Sequence, residues 1–355
     1  MARPGLDAPL HGGEHRELTR AIQRAGLLEK QIGYYTAKVL SVWGMLILGV
    51  ALLPVARDHG LYLLDAVYLA FVFGQIALLA HDAAHRAIFR EQWKSAVFCL
   101  IHGNLLLGMS YGWWTRFHNT HHRNPNCADD DALEIAGLAF TPEQALRRQG
   151  VMRVVARYQA YTFVPFLALT ALGLRVSSVQ TLLQAQVRHR LAEACFAGVH
   201  AALYCWFVFA SLGGRRGALF ILLHQVLFGL YLGGVFAPNH KGMLMWSAHA
   251  PLDFLRKQVL TARNVTPGVM TDFLYGGLNY QIEHHLFPSM ARNRLREARE
   301  IVMAFCRAHG LSYTESGALR SYRDILRYLH SVSTAFRKAA AHDGDRRPRR
   351  DRAGP

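Results

Sequence analysis

The chain has 355 residues, of which 52% are hydrophobic and only 18% are charged. Soluble proteins average about 25% charged residues, so this composition excludes a disordered chain and disfavours an ordinary soluble enzyme. The net charge is +16, but the basic residues are spread through every polar segment and no nucleic-acid-binding motif occurs, which disfavours a nucleic-acid partner.

The apolar residues are concentrated in four long blocks. A helix needs about 20 largely apolar residues to cross the hydrocarbon core of a bilayer. We predict membrane spans at about 39–56, 62–80, 194–212 and 217–237, paired into two hairpins by short polar turns. The sequence therefore predicts an all-α integral membrane protein with four transmembrane helices in two hairpins, interfacial helices and a cytoplasmic helical cap.

The polar segments define the domains and the orientation. Residues 1–38 form an N-terminal arm, residues 39–337 the membrane domain, and residues 338–355 a basic tail that we expect to be disordered. Lysine and arginine accumulate in the arm, in the 82–192 region and in the C-terminal segment. Basic residues mark cytoplasmic loops, so both termini and the middle region are predicted to be cytoplasmic.

Clusters of histidines are the feature of this sequence that indicates a metal-binding function. Side chains four residues apart lie on one face of a helix, so His81 and His85 can bind one ion from a single helix. In the trio of His118, His121 and His122, the later two residues fall on either side of the first and can serve two ions. A third cluster, Gln281 with His284 and His285, repeats this spacing, and His240 follows the fourth span.

The number and type of these residues favour a pair of redox metal ions. Eight histidines exceed the ligands of one ion, and neutral imidazole suits Zn, Cu, Fe and Ni. A structural zinc site would normally use cysteine, and none of the five cysteines has CxxC spacing, so iron is the first candidate. Neighbouring polar residues are predicted to orient the imidazoles, namely Asp82, Asn119, Asn239, Asn279 and Glu283. We interpret four isolated histidines as core or surface residues: His102, His200, His224 and His249.

Topology gives an independent check. The second and fourth spans both run towards the cytoplasm and end just before His81 and His240, so they deliver histidines to one boundary. For the second cluster to join them, the shorter apolar stretches at about 96–110 and 161–175 must not cross the membrane. We predict that both lie in or under the cytoplasmic leaflet.

At these clusters the sequence resembles the membrane fatty acid desaturases, which share three histidine boxes. Further matching strings are Tyr111-Gly112-Trp113-Trp114, Phe236–Gly242 and Asn279–Pro288. The resemblance covers residues 35–330, and it is closest to the bacterial acyl-CoA and linoleoyl-CoA desaturases and to the front-end desaturases.

The resemblance implies a non-haem centre of two Fe ions that uses O₂ and two electrons to introduce a cis double bond into an acyl-CoA or acyl-lipid. The implied ligands are His81, His85, His118, His121, His122, His240, His284 and His285. Gln281 stands where a related branch has histidine, and it is expected to bind weakly or through water. Trp113, Trp114 and Phe117 are adjacent to the second cluster and either line an apolar slot for the acyl chain or anchor at the lipid interface.

No donor cofactor site is visible in the chain. No GxGxxG fingerprint follows a strand, and no cysteine set could hold an iron–sulfur cluster. Leu10-His11-Gly12-Gly13 lacks the proline of the haem-binding His-Pro-Gly-Gly string. Electrons are therefore expected from a ferredoxin or a cytochrome-b-type protein with its reductase, docked near Arg292, Arg294 and Arg296.

The resemblance implies a multi-pass protein of a bacterial inner membrane with a cytoplasmic active site. Three alternatives remain at this stage. A di-iron lipid hydroxylase could use the same ligands, and a non-catalytic membrane protein could hold a structural zinc pair. A transporter is disfavoured because transport sites lie near the bilayer midplane, whereas these clusters lie at one edge.

Overall fold

The computed structural model describes residues 13–57, 60–129, 138–184, 187–249 and 252–345, with side chains through residue 339. The α-helices in this part of the chain are α1 (Gly13–Arg24), α2 (Ile32–Ala56), α3 (Tyr62–Ala84), α4 (Gln92–Cys99), α5 (Tyr111–Arg123), α6 (Pro142–Arg147), α7 (Gly150–Ala168), α8 (Thr170–Leu183), α9 (Arg190–Leu212), α10 (Gly214–His240), α11 (Phe254–Leu260), α12 (Val269–Tyr275), α13 (Gln281–Leu286), α14 (Leu295–Ala308) and α15 (Ala318–Asp345). A π-helix covers Leu100–Leu105, a 3₁₀ turn covers Arg292–Arg294, and two short strands are β1 (Asn264–Val265) and β2 (Glu315–Ser316).

Four of the described helices, α2, α3, α9 and α10, are long and apolar enough to cross a membrane. They coincide with the four blocks found in the sequence, which confirms the prediction of a mostly helical chain with four candidate spans. Each helix is longer than its apolar block. In particular, α3 and α10 continue to residues 84 and 240, so His81 and His240 lie on the last turns of these helices.

Helix α10 is central to the packing and contacts α3, α7, α8, α9 and α15. Helices α7 and α8 meet at an elbow, bent by 72°, which packs against α10. At Gly229 of α10, an added Cβ would lie 2.2 Å from the carbonyl oxygen of Ala168. Only glycine therefore lets the backbone of the elbow approach α10 this closely.

The two shorter apolar stretches fold differently from the long spans. The first becomes α4 and the π-helix, which pack against α3 and α9. The second covers the elbow between α7 and α8, a pair that would give a fifth candidate span if it were counted as one helix. Their location at the cytoplasmic leaflet stays a prediction.

A second hydrophobic core lies among α1, α11, α13 and α14. It includes Leu18 and Ile22 of α1, Val259 of α11, Ile282 of α13 and Val302 of α14. Part of the polar N-terminal arm is thus a helix packed on the segment that carries the third histidine cluster.

Two details add to the sequence-based expectations. One short pair of parallel strands, β1 and β2, accompanies the described helices, with Asn264 opposite Glu315. A pair of two-residue strands is too short to give a period-2 pattern in the sequence. Helix α15 continues to Asp345, so the first residues of the predicted tail, 338–345, are helical. Three consecutive alanines at 339–341 favour this continuation. Residues 1–12, with the His11 string, and residues 346–355 lie outside the described part of the chain.

Candidate metal centre

Four separate elements bring the eight predicted histidines together. His81 and His85 come from the end of α3 and the residue after it, and His240 comes from the end of α10. Helix α5 carries His118, His121 and His122, and α13 carries His284 and His285. The i,i+4 pair behaves as its spacing suggests, because the rings of His81 and His85 lie 4.7 Å apart.

The imidazoles form two groups whose ligand nitrogens lie within 4.8 Å of one another: His81, His85, His118 and His284 in one, and His121, His240 and His285 in the other. In the first group, Nε2 of His81 is 3.2 Å from Nε2 of His118. In the second, Nε2 of His240 is 3.0 Å from Nε2 of His285. His122 lies between the groups, since its Nε2 is 3.1 Å from Nε2 of His118 and its ring stacks on His285 at 4.1 Å.

The chemistry of this cluster fits metal ions. The buried Nε2 atoms of His85 and His284 and the Nδ1 atom of His122 have no hydrogen-bond partner among the described residues. Burial, followed by the neighbouring imidazoles, holds the pKa of His85, His118 and His122 well below the usual value. The side chains are therefore neutral, and neutral imidazole is the metal-binding form.

One side of the cluster is held by a buried ion pair. Oδ1 of Asp82 lies 3.3 Å from Nδ1 of His81, the ring nitrogen that faces away from His118. Oδ2 of Asp82 accepts hydrogen bonds from the hydroxyl of Tyr35 at 2.7 Å and from Nε of Arg292 at 2.5 Å. The predicted orienting role of Asp82 thus has a geometric basis, because such contacts fix the tautomer and orientation of a ligand.

Two further histidines have partners that the sequence analysis did not find. Nδ1 of His240 lies 3.0 Å from the carbonyl oxygen of Thr261. Nδ1 of His285 lies 2.9 Å from Oε1 of Gln258, whose Nε2 donates to the carbonyl oxygen of His122 at 2.9 Å. Gln258 and Thr261 belong to no histidine box, and nothing in the surrounding sequence indicates that they contact histidines.

The other residues predicted to orient imidazoles do not contact the rings. Asn119 is exposed on α5. Nδ2 of Asn279 donates to Asp272 at 2.8 Å. The backbone oxygen of Asn239 accepts from the backbone N–H of Arg263 at 2.9 Å, while its side-chain oxygen is buried without a described partner.

Glu283 likewise makes its hydrogen bonds to residues other than the imidazoles. Its carboxyl group accepts hydrogen bonds from Nδ2 of Asn264 at 2.7 Å and from the hydroxyl of Tyr313 at 2.9 Å. Burial raises the pKa of Glu283 to about 7. These contacts tie α13 to β1 and to the segment before β2, so Glu283 supports the helix that carries His284 and His285.

Gln281 lies beside the second histidine group. Its Nε2 is 2.9 Å from Nε2 of His240, and its Oε1 is buried without a hydrogen-bond partner among the described residues. This position suits either a direct contact with an ion or a contact through water.

An apolar cavity begins at the cluster. His81, Trp113 and Trp114 line it, together with residues from both shorter apolar stretches: Cys99, Gly103, Leu107 and Leu174. Trp114 stacks on His118 with ring centroids 4.5 Å apart. Phe117 is not among the residues that line this cavity; it is 38% exposed and stacks on Trp113 with ring centroids 5.2 Å apart. Nearly all of the cavity wall is apolar, which suits an apolar ligand.

Comparison with known proteins shows the family to which the chain belongs. The model of the fatty acid desaturase family matches residues 60–317. The chain belongs to the fatty acid desaturase family. The resemblance inferred from the histidine boxes is therefore confirmed. The matched region contains all eight histidines and both groups of the cluster.

Individual desaturases align with most of this chain. An acyl-lipid (9-3)-desaturase of Physcomitrium patens is 28% identical over 91% of the chain and 63% of its own length. A Δ6 fatty acid desaturase of Caenorhabditis elegans is 28% identical over 92% of the chain and 76% of its own length. A Δ8 fatty acid desaturase of Euglena gracilis is 26% identical over 89% and 78%. The chain thus spans 63% to 78% of the length of these relatives, which are eukaryotic.

Proposed function

We propose that this protein is an O₂-dependent membrane desaturase that introduces a cis double bond into the acyl chain of an acyl-lipid or acyl-CoA. One observation carries the proposal: an apolar cavity lined by His81 begins at the cluster of eight histidines. The names of the relatives agree with it, since they are acyl-lipid and Δ6 and Δ8 fatty acid desaturases.

In this proposal the cluster holds two iron ions. The first would be bound by His81, His85, His118 and His284, and the second by His121, His240 and His285, with His122 between them and Gln281 beside the second. When bound, the iron pair supplies the oxidising power, drawn from O₂ and two electrons, that an unactivated methylene requires.

The residues of the chain orient the ligands and the substrate. Asp82, Thr261 and Gln258 fix the outward ring nitrogens of His81, His240 and His285. Trp113 and Trp114 form the cavity wall next to the imidazoles, so an acyl chain in this cavity lies against the cluster with water excluded. Desolvation also strengthens electrostatic interactions at the site.

We propose a topology of two hairpins, α2 with α3 and α9 with α10, with both termini and the histidines cytoplasmic. The core of α1, α11, α13 and α14 would form the cytoplasmic cap. The desaturase domain would cover residues 39–337, with the arm of residues 1–38 packed on the cap through α1. A bacterial inner membrane stays a proposal that rests on the sequence resemblance alone, since the aligned relatives are eukaryotic.

We further propose that a separate ferredoxin or cytochrome-b-type protein, served by a reductase, supplies the electrons. The basic docking face is smaller than the sequence suggests, because Arg292 is buried against Asp82. Arg294 and Arg296 remain partly exposed, although Arg296 pairs with Asp272 at 2.9 Å. Reconstituted turnover should require the carrier protein and weaken with added salt. Repeated turnover without a carrier would contradict this proposal.

Expression in a host that lacks the product tests the function directly. Gas chromatography–mass spectrometry of the host lipids should show a new unsaturated acyl chain. A matched host that carries His284→Ala should not make it, because this change removes a proposed ligand. A hydroxylated chain in place of the alkene would indicate the hydroxylase alternative, and unchanged lipids on supplying both acyl-lipid and acyl-CoA precursors would count against the desaturase.

A further inference from the structure

A buried carboxylate lies at the end of helix α5 opposite its histidines. Glu193, in the first turn of α9, is fully buried. Its Oε2 accepts a hydrogen bond from Oγ of Ser110 at 2.5 Å, and both of its oxygens accept from the backbone N–H of Gly112 at 3.2 Å. Nδ2 of Asn104 donates to it at 3.4 Å. Each of these partners can donate a hydrogen bond to the carboxyl oxygens of Glu193.

This carboxylate completes the cap of α5. A helix begins with backbone N–H groups that have no partner within the helix. Here the N–H of Tyr111 donates to Asn104, that of Gly112 to Glu193, and that of Trp113 to Ser110. The negative charge also lies at the positive end of the helix dipole.

The backbone at Gly112 is adapted to this contact. An added Cβ would lie 2.9 Å from Oε1 of Glu193 and 2.1 Å from Cγ1 of Val187. A side chain at this position would have to displace the side chains of Val187 and Glu193. The glycine therefore leaves room for the carboxylate beside the first turn of α5.

We propose that Glu193 is a positioning residue that sets the position and rotation of α5 relative to the other histidine-bearing helices. It contacts neither the imidazoles nor the substrate cavity, and it acts through the helix. His118 lies six residues beyond Gly112, or about 9 Å along the axis. The same helix carries His121 and His122 and presents Trp113 and Trp114 to the cavity. The contact of Glu193 with the first turn of α5 therefore affects both histidine groups. The link to iron rests on the proposed function.

The first test measures α5 itself and does not depend on metal. Hydrogen–deuterium exchange is compared for the full-length wild type and Glu193→Gln, which keeps the size of the side chain but removes its charge. We expect faster exchange in residues 111–123 and unchanged exchange in α13. Glu91→Gln is the matched control, because Glu91 is exposed and pairs with Lys94 at 2.9 Å. Unchanged exchange in α5 would overturn the proposal.

The second test measures iron. Release of Fe²⁺ from the loaded proteins to a chelator should be about ten-fold faster or more in Glu193→Gln than in wild type, the size of effect found for residues that orient metal ligands. Glu193→Asp, which keeps the charge, should release iron more slowly than Glu193→Ala. If Glu193 were merely structural, less protein would fold, but the folded fraction would release iron at the wild-type rate. That result would also overturn the proposal.

One outcome keeps this inference separate from the proposed function. A wild type that binds iron but makes no double bond would refute the function and leave both tests of Glu193 intact. If Glu193→Gln does not fold, Ser110→Ala is the milder perturbation, because it removes the hydroxyl that joins Glu193 to the N–H of Trp113. Wild-type exchange in α5 and wild-type iron release in Ser110→Ala would then refute the proposal.

Discussion

Asp82 allows a quantitative test of how the histidine cluster is held. Its carboxylate joins His81 to Tyr35 and Arg292, and the charged groups of Asp82 and Arg292 are both nearly inaccessible to solvent. Asp82→Ala removes the anion and leaves the guanidinium of Arg292 buried without it. Arg292 keeps a hydrogen bond to the carbonyl oxygen of Leu78 at 2.6 Å, which does not neutralise its charge.

The expected losses differ between the partners. Removing one member of a buried ion pair costs about 3–5 kcal/mol of the free energy of unfolding. Tyr35→Phe removes the hydrogen bond to Asp82, which should cost about 1.5–3 kcal/mol, and also the acceptor of the backbone N–H of Arg292 at 3.2 Å. In the double variant Asp82→Ala with Arg292→Met, no unpaired charge remains, so the loss should be well below the sum of the two single losses.

The assay is unfolding of the purified protein in detergent, followed by tryptophan fluorescence, together with iron content per chain. We expect Asp82→Ala to unfold at the lowest denaturant concentration and to hold less iron than wild type, since His81 loses its orienting partner. Additive losses in the double variant would show that the buried charge does not control the stability of this region.

Three further predictions concern topology, ligands and Gln281. In a background without native cysteines, an impermeant thiol reagent applied from outside should label a cysteine at Gly214 but not one at Ser289; external labelling at Ser289 would refute the orientation. His284→Ala should abolish desaturation and lower the iron content, because it removes a proposed ligand. His249→Ala changes an exposed histidine and should leave both quantities near their wild-type values. Iron analysis and a product assay measure the two effects. Gln281→His should keep part of the activity and Gln281→Leu should lose most of it, and full activity of the leucine variant would exclude a role of this side chain at the metal.

Local patterns made part of this molecule predictable. The i,i+4 spacing of His81 and His85 places both rings on one side of a helix whatever the remaining fold, and long apolar blocks identify spans by composition. Adjacency to a histidine was a poor guide. Successive residues on a helix point about 100° apart, so Asn119 faces away from the cluster although it follows His118.

Contacts between distant segments could not be predicted from one sequence. Gln258 meets His285 across an intervening strand and helix, and Arg292 reaches Asp82 from the other end of the chain. Neither residue type is unusual for its segment. Their partners are determined by the packing of the helices, which no short spacing encodes.

The contact of Gly229 with the elbow between α7 and α8 also has a consequence for biosynthesis. The chain is made from its N-terminus, so α7 and α8 leave the ribosome before α10 exists. The carbonyl oxygen of Ala168 packs against Gly229 of α10. The elbow therefore has no surface to pack against until α10 has entered the bilayer. We expect α7 and α8 to pack in their final place only at that stage. The insertion of α10 is then the event that joins α7 and α8 to the other membrane helices of the nascent protein.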